Sequence, residues 1–108
     1  MKLIVKKEKG EVIDYADSNN CAIARGLKKR GYTNISVTPT RWVAKTAKGV
    51  VMFGEIPECE DVKAMYFCCS EDTKVTFELP KIRVTKKFLK DNQDAWFIDD
   101  LSYLFNDE

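Results

Sequence analysis

The segment Ser18 to Gly31, SNNCAIARGLKKRG, constrains the fold more than any other stretch. Asp17, Ser18 and Asn19 are three residues of helix N-cap type in a row. Cys21, Ala24, Leu27 and Lys28 recur at threes and fours, with Ile23 four before Leu27, and Gly31 follows three bases as a stop. A short helix is predicted, apolar on one side and basic in its last turn, where cations suit the negative end of the helix dipole. Gly26 costs about 1 kcal/mol relative to alanine inside a helix, so its presence predicts a close packing contact against a sheet. The helix also opens a run from Ser18 to Gly54 that contains no acid, although Arg25, Lys28, Lys29, Arg30, Arg41, Lys45 and Lys48 all lie inside it.

Around that helix the chain alternates between extended and helical patterns. Residues 2–7 read as a strand, Lys9-Gly10 as a turn and residues 11–16 as a returning strand, which makes an N-terminal hairpin. Asn34 to Thr38 alternates Ile35 and Val37 and ends at Pro39. Residues 41–46 and 50–54 are two extended runs joined across Ala47-Lys48-Gly49, a second hairpin. Pro57 ahead of Glu58, Glu60 and Asp61 is a helix start, because proline there loses no bond and acids suit the positive end. The helix runs over about residues 57–70, with Val62, Met65, Tyr66 and Cys69 as its apolar stripe. Thr73 to Leu79 alternates cleanly before Pro80, and residues 81–85 are either a further strand or an extended link. From Lys86 onward helix is favoured again, ending in an acidic amphipathic helix at about residues 94–106 whose Phe97, Leu101, Leu104 and Phe105 share a face. The order points to a single α+β domain: a mostly antiparallel sheet of about five strands with two to three helices on one face.

A chain of 108 residues can bury about two thirds of its unfolded surface without a metal or disulfide staple. Its start, Met1 to Lys7, lacks the apolar length of a signal-peptide core or a membrane span, so a cytoplasmic protein with reduced thiols is expected. Charge is polarised along the chain. Every Lys and Arg precedes residue 91, whereas residues 91–108 hold Asp91, Asp94, Asp99, Asp100, Asp107 and Glu108 and no base.

Catalysis finds little support. The absence of histidine removes the commonest general base and the usual partner of a nucleophilic Ser or Cys. Cys21, early in its helix, is the one candidate nucleophile, but its spacing with Ala24 and Leu27 fits a buried core thiol better. Cys59, Cys68 and Cys69 contain no C-x-x-C pair, and adjacent Cys68 and Cys69 point about 100° apart on a helix, which does not suit one tetrahedral ion. Neither G-x-G-x-x-G nor G-K-[ST] occurs. The expectation is a non-enzyme without metal or cofactor.

Binding finds more. Arg25, Lys28, Lys29, Arg30, Arg41 and Lys45 form a candidate basic contact face with Trp42 as an anchor, a surface that would meet phosphate or a carboxylate-rich partner. The competing reading is a face neutralised by the acidic last helix of the same chain. Trp96, Asp99, Asp100 and Tyr103 form a second candidate surface, acidic and aromatic, able to enter a partner's groove or to mimic a phosphate backbone.

NCAIARGL at 20–27, Ile35-Ser36-Val37, Pro57 before an acid-rich helix and Val75-Thr76-Phe77-Glu78-Leu79 together resemble small uncharacterised proteins of tailed phages and prophages. Ala22 stands where that family usually has proline. The resemblance implies a phage accessory protein and transfers no site residues. The resulting expectation is a non-enzymatic protein that binds and inhibits a host protein or ribonucleoprotein complex, foremost a defence nuclease system. The alternatives are a small nucleic-acid-binding module using the basic 25–48 face and a thiol-dependent enzyme at Cys21.

Overall fold

The computed structural model describes residues 1–8, 11, 13–17 and 20–106, apart from the side chains of Asp100 and Asn106. The element order is β1 (Lys2–Lys6), α1 (Ala22–Lys29), β2 (Thr33–Val37), β3 (Arg41–Lys45), β4 (Val51–Glu55), α2 (Glu58–Cys69), β5 (Lys74–Glu78), β6 (Ile82–Arg83), α3 (Lys86–Asp91) and α4 (Ile98–Asn106). The domain is α+β, as expected, but its strands divide into two antiparallel sheets, β1-β5 and β2-β3-β4-β6.

The first sheet replaces the expected N-terminal hairpin. β1 pairs with β5, Leu3 opposite Phe77 and Val5 opposite Val75, and no described residue of 11–16 is in a strand. Lys9, Gly10 and Val12 lie outside the described residues. The pairing wins because Leu3, Val5 and Phe77 share one inward face and are all buried, whereas among the described residues of 11–16 Ile13 is buried in the core and Tyr15 packs against it. The Met1 amino group and amide-paired Leu79 extend the ladder, at 2.7 and 2.8 Å.

α1 lies against β1 and β2. A Cβ on Gly26 would meet Val5 Cγ2 at 3.0 Å and Leu3 at 3.4 Å, so this glycine lets the helix approach the strand, as its position predicted. Of the three expected caps, Ser18 and Asn19 lie outside the described residues; the Asp17 carbonyl accepts from the amides of Asn20 and Cys21 at 3.2 and 2.9 Å. Gly31, at φ +90°, turns the chain out of the helix.

β3 is buried along its whole length and separates two cores. Trp42 and Ala44 face α1, the first sheet and α2. Val43 faces the other way, with Val51, Phe53, Val84 and Leu101. Helices therefore cover both faces of the four-stranded sheet, not one. α3 and α4 build the second core, where Phe53 stacks on Phe97 at 4.6 Å and packs tilted on Phe88 at 6.2 Å. The predicted helix over 94–106 starts later, at Ile98. α3 precedes it, capped by Thr85, whose hydroxyl accepts from the Phe88 amide at 3.1 Å, and closed by Asn92, whose side chain donates to the Phe88 carbonyl at 2.8 Å. Residues 81–85 contain a true strand, since β6 pairs with β4.

α2 spans the expected residues with Pro57 at its N-cap, yet it faces the other way. Val62, Met65, Tyr66 and Cys69 are exposed, and Glu60, Ala64 and Phe67 are buried. The same three-and-four spacing serves both stripes. The buried one holds because Glu60, 7% exposed, is fully engaged: its carboxylate accepts from Lys63 Nζ at 3.0 and 3.2 Å and from the Glu78 amide at 3.0 Å. At the other end Lys7 Nζ donates to the Phe67 carbonyl at 2.8 Å and lies 4.7 Å from the Phe67 ring. A distant lysine thus supplies the cation that the last turn of α2 lacks.

Candidate binding surfaces

The basic stretch does not fold into one face. Arg25 is half-buried on α1, paired with Glu11 and donating from Nε to Asn20 at 3.1 Å. Trp42 is 0% exposed; its Nε1 donates to the Pro80 carbonyl at 3.1 Å and its ring meets Tyr32 edge-on at 6.0 Å. It is a core residue and not a surface anchor, because β3 alternation points it into the first core. Arg41 and Lys45 are buried on the opposite face, the one carrying Val43, which α4 covers. Their burial takes these two out of an open basic face.

What remains open is one corner. Lys28, Lys29 and Arg30 are exposed at the C-terminal end of α1, where the helix dipole favours them. Arg30, Gly31 and Tyr32 face Thr46 and Ala47 of the β3-β4 turn across an open cleft of about 370 Å³, and the same turn carries exposed Lys48.

The acidic and aromatic surface survives in a different form. Trp96 is 70% exposed and Tyr103 73%, with Asp99 exposed one helical turn before Tyr103. The guanidinium of Arg41 lies 4.7 Å from the Trp96 ring centroid. Asn34, Ser36, Arg41, Val43, Tyr103 and Leu104 line a cavity of about 200 Å³. The fold thus joins a residue of the basic stretch to two of the acidic helix region. Asp100 is on α4, its side chain outside the description.

Sequence reasoning did not find the third wall of that cavity. Asn34 sits at φ +51°, the left-handed region, at a break in the β2-β3 register between Thr33 and Ser36. Asparagine is among the few residues that tolerate this conformation, so Asn34 at the start of the alternating Ile35/Val37 run was a readable sign of a bulge.

A further cavity, of about 280 Å³, is lined by Tyr15, Cys21, Val37, Asp61 and Ala64 among others. Burial pushes the Cys21 thiol up against the lowering effect of the Ala24 and Ile23 amides, so the thiol stays protonated at neutral pH. Tyr15 donates to Asp61 at 2.7 Å, and this bond, with burial, pushes the phenol up to about 12. The native state therefore holds the phenolic proton more tightly than the unfolded chain. That contribution to stability is complete below the ordinary value of 10.0 and is lost as pH rises through about 12. Tyr15→Phe should be less stable than the parent at pH 8, with the difference shrinking towards pH 12 in paired denaturation curves.

Cys59 and Cys69 are exposed, Cys68 is partly buried, and all four thiols are free. Among the described residues no three His, Cys, Asp or Glu side chains converge as a metal site requires, and no helix is long and apolar enough to cross a membrane. No protein family, curated protein or solved structure matches this chain.

Proposed function

We propose that the chain is a non-catalytic binding protein that meets a negatively charged macromolecular partner at the corner formed by the end of α1 and the β3-β4 turn. The observation that carries this reading is the exposure of Lys28, Lys29 and Arg30 at the end of α1, where Arg30 borders a cleft opposite the β3-β4 turn that also carries exposed Lys48. Clustered exposed cations raise encounter rates with an anionic surface and release counterions from it, so affinity falls as salt rises. The likeness to phage accessory proteins supports a host complex as the partner and inhibition of a defence nuclease system as the consequence. Direct nucleic-acid binding through the same corner is the second reading, favoured by Tyr32 on the cleft wall.

Tagged protein incubated with bacterial lysate, with and without nuclease, tests both. A defined protein complex retained after nuclease treatment supports inhibition by protein contact; loss of all partners supports nucleic-acid binding. In either case Lys28→Glu/Lys29→Glu/Arg30→Glu should weaken capture by more than about tenfold and flatten its salt dependence. Its fold should persist, since each helix-end charge contributes only about 0.3–1 kcal/mol. A folded triple variant with unchanged capture sinks the assignment.

A further inference from the structure

We infer that the cavity of about 280 Å³ between the starts of α1 and α2 and the β2-β3 turn is a binding site for a small apolar amine, with Asp61 as the partner of its ammonium group. The inference stands apart from the basic corner and does not rest on what that corner binds.

Shape sets the size of the occupant. The rim of the cavity includes exposed Ala16 and Pro39, and its inner wall is formed by buried Cys21, Ile23, Val37 and Ala64. Sites for small molecules start at about 300 Å³ and are mostly apolar, with a few polar groups that fix orientation. This one therefore suits a ligand with a short branched chain or a single ring.

Charge selects its chemistry. Of the described residues that line the cavity, Asp61 alone carries a charge, and neither a lysine nor an arginine is among them. The other polar groups are already engaged. The Thr38 hydroxyl donates to the Arg41 carbonyl at 3.3 Å and accepts from the Arg41 amide at 3.2 Å. The Tyr15 hydroxyl donates to Asp61 Oδ1 at 2.7 Å. Burial keeps the Cys21 thiol neutral, so its sulfur adds to the apolar wall. Asp61 Oδ2 is left, with no protein donor among the described residues.

Tyr15 fixes the orientation of this carboxylate, and a carboxylate only accepts, so the occupant has to donate. A cationic donor beside it gains a charge-assisted bond, about twice as strong as a neutral one, whereas an anion is repelled. An ammonium group on an apolar body meets both demands: the body lies on the buried wall and the cation on Oδ2.

Isopentylamine, isopentanol and isovalerate test this, because they share one carbon skeleton and carry a cation, a neutral hydroxyl and an anion. Each is titrated into the isotopically labelled full chain and followed by amide NMR shifts. Isopentylamine should shift Ile23, Val37 and Ala64 saturably and bind about tenfold more tightly than isopentanol, and isovalerate should give no saturable shift. Asp61→Asn keeps an acceptor for Tyr15 and removes the charge, so it should bring isopentylamine down to the affinity of isopentanol. Ala16→Trp, at an exposed rim position, should weaken both. N-acetyl-lysine methylamide separates the two sources of such a group: binding tighter than isopentylamine assigns the site to a lysine side chain of a partner, and weaker binding assigns it to a free amine. Equal affinity for isopentylamine and isopentanol overturns the cation assignment. Amine binding that ignores both Asp61→Asn and Ala16→Trp, or no saturable shift with any probe, overturns the site. Lys28→Glu/Lys29→Glu/Arg30→Glu should bind isopentylamine as the parent does, so failure at this cavity and failure at the basic corner are read separately.

Discussion

Gly54→Ala should destabilise the protein by about 3–5 kcal/mol, a large share of the roughly 5–15 kcal/mol by which a domain of this size is stable. A Cβ at that position would fall 2.0 Å from the Pro80 carbonyl oxygen, 2.3 Å from Trp42 Nε1 and 2.9 Å from Trp42 Cε2. Neither neighbour can yield cheaply: one is backbone and the other a ring with no exposure. Gly54 is the register partner of Trp42 across β3 and β4, and the indole passes over it to donate to Pro80. Relief of the clash therefore breaks that hydrogen bond and leaves the buried Trp42 indole N–H unpaired. Urea denaturation would show it as a lower midpoint at similar slope. A midpoint equal to the parent's would mean that Trp42 and Pro80 do not close over this glycine.

Trp42→Ala should cost a similar amount, about 3–5 kcal/mol, through the cavity left in the first core. The sequence reading of Trp42 as a contact anchor makes the opposite forecast: a stably folded variant with reduced partner binding. Thermal unfolding of the variant decides between them, and the structure requires a strong drop in midpoint. Trp42→Phe should fall between, at about 1–2 kcal/mol, since it keeps most of the ring volume and loses the bond to Pro80.

The two residues illustrate how far the sequence could be read. Local patterns carried well: the alternation of Val75, Phe77 and Leu79, the hairpin of β3 and β4, the span of α2 and the close contact at Gly26 all depend on neighbours in the chain. Pairing and facing did not. β1 had two plausible partners, and only the shared burial of Leu3, Val5 and Phe77 chose β5. α2 had two stripes of equal spacing, and the choice fell on Glu60, Ala64 and Phe67 because Lys63 and the Glu78 amide meet the Glu60 carboxylate. No count of hydrophobic residues along the helix contains that compensation.

The candidate site divides in the same way. Lys28, Lys29 and Arg30 stay exposed as a basic helix end is expected to, whereas Arg41, Trp42 and Lys45 read as surface only because a strand buried on both faces looks like any other short strand. Trp96 and Tyr103 were visible as exposed aromatics, but not the contact of Trp96 with Arg41 or the cavity that Tyr103 shares with Asn34.

By itself, the sequence determined the α+β class, the elements from α1 to β5, the basic end of α1 and the acidic character of the last helix, because propensity, periodicity and charge act over a few residues at a time. Only the tertiary structure decided which strands pair, which stripe of α2 is buried, and that Arg41 lies beside Trp96 and Tyr103. Those outcomes depend on mutual burial and on hydrogen bonds between segments tens of residues apart, where the free energy belongs to the pair and to neither segment alone.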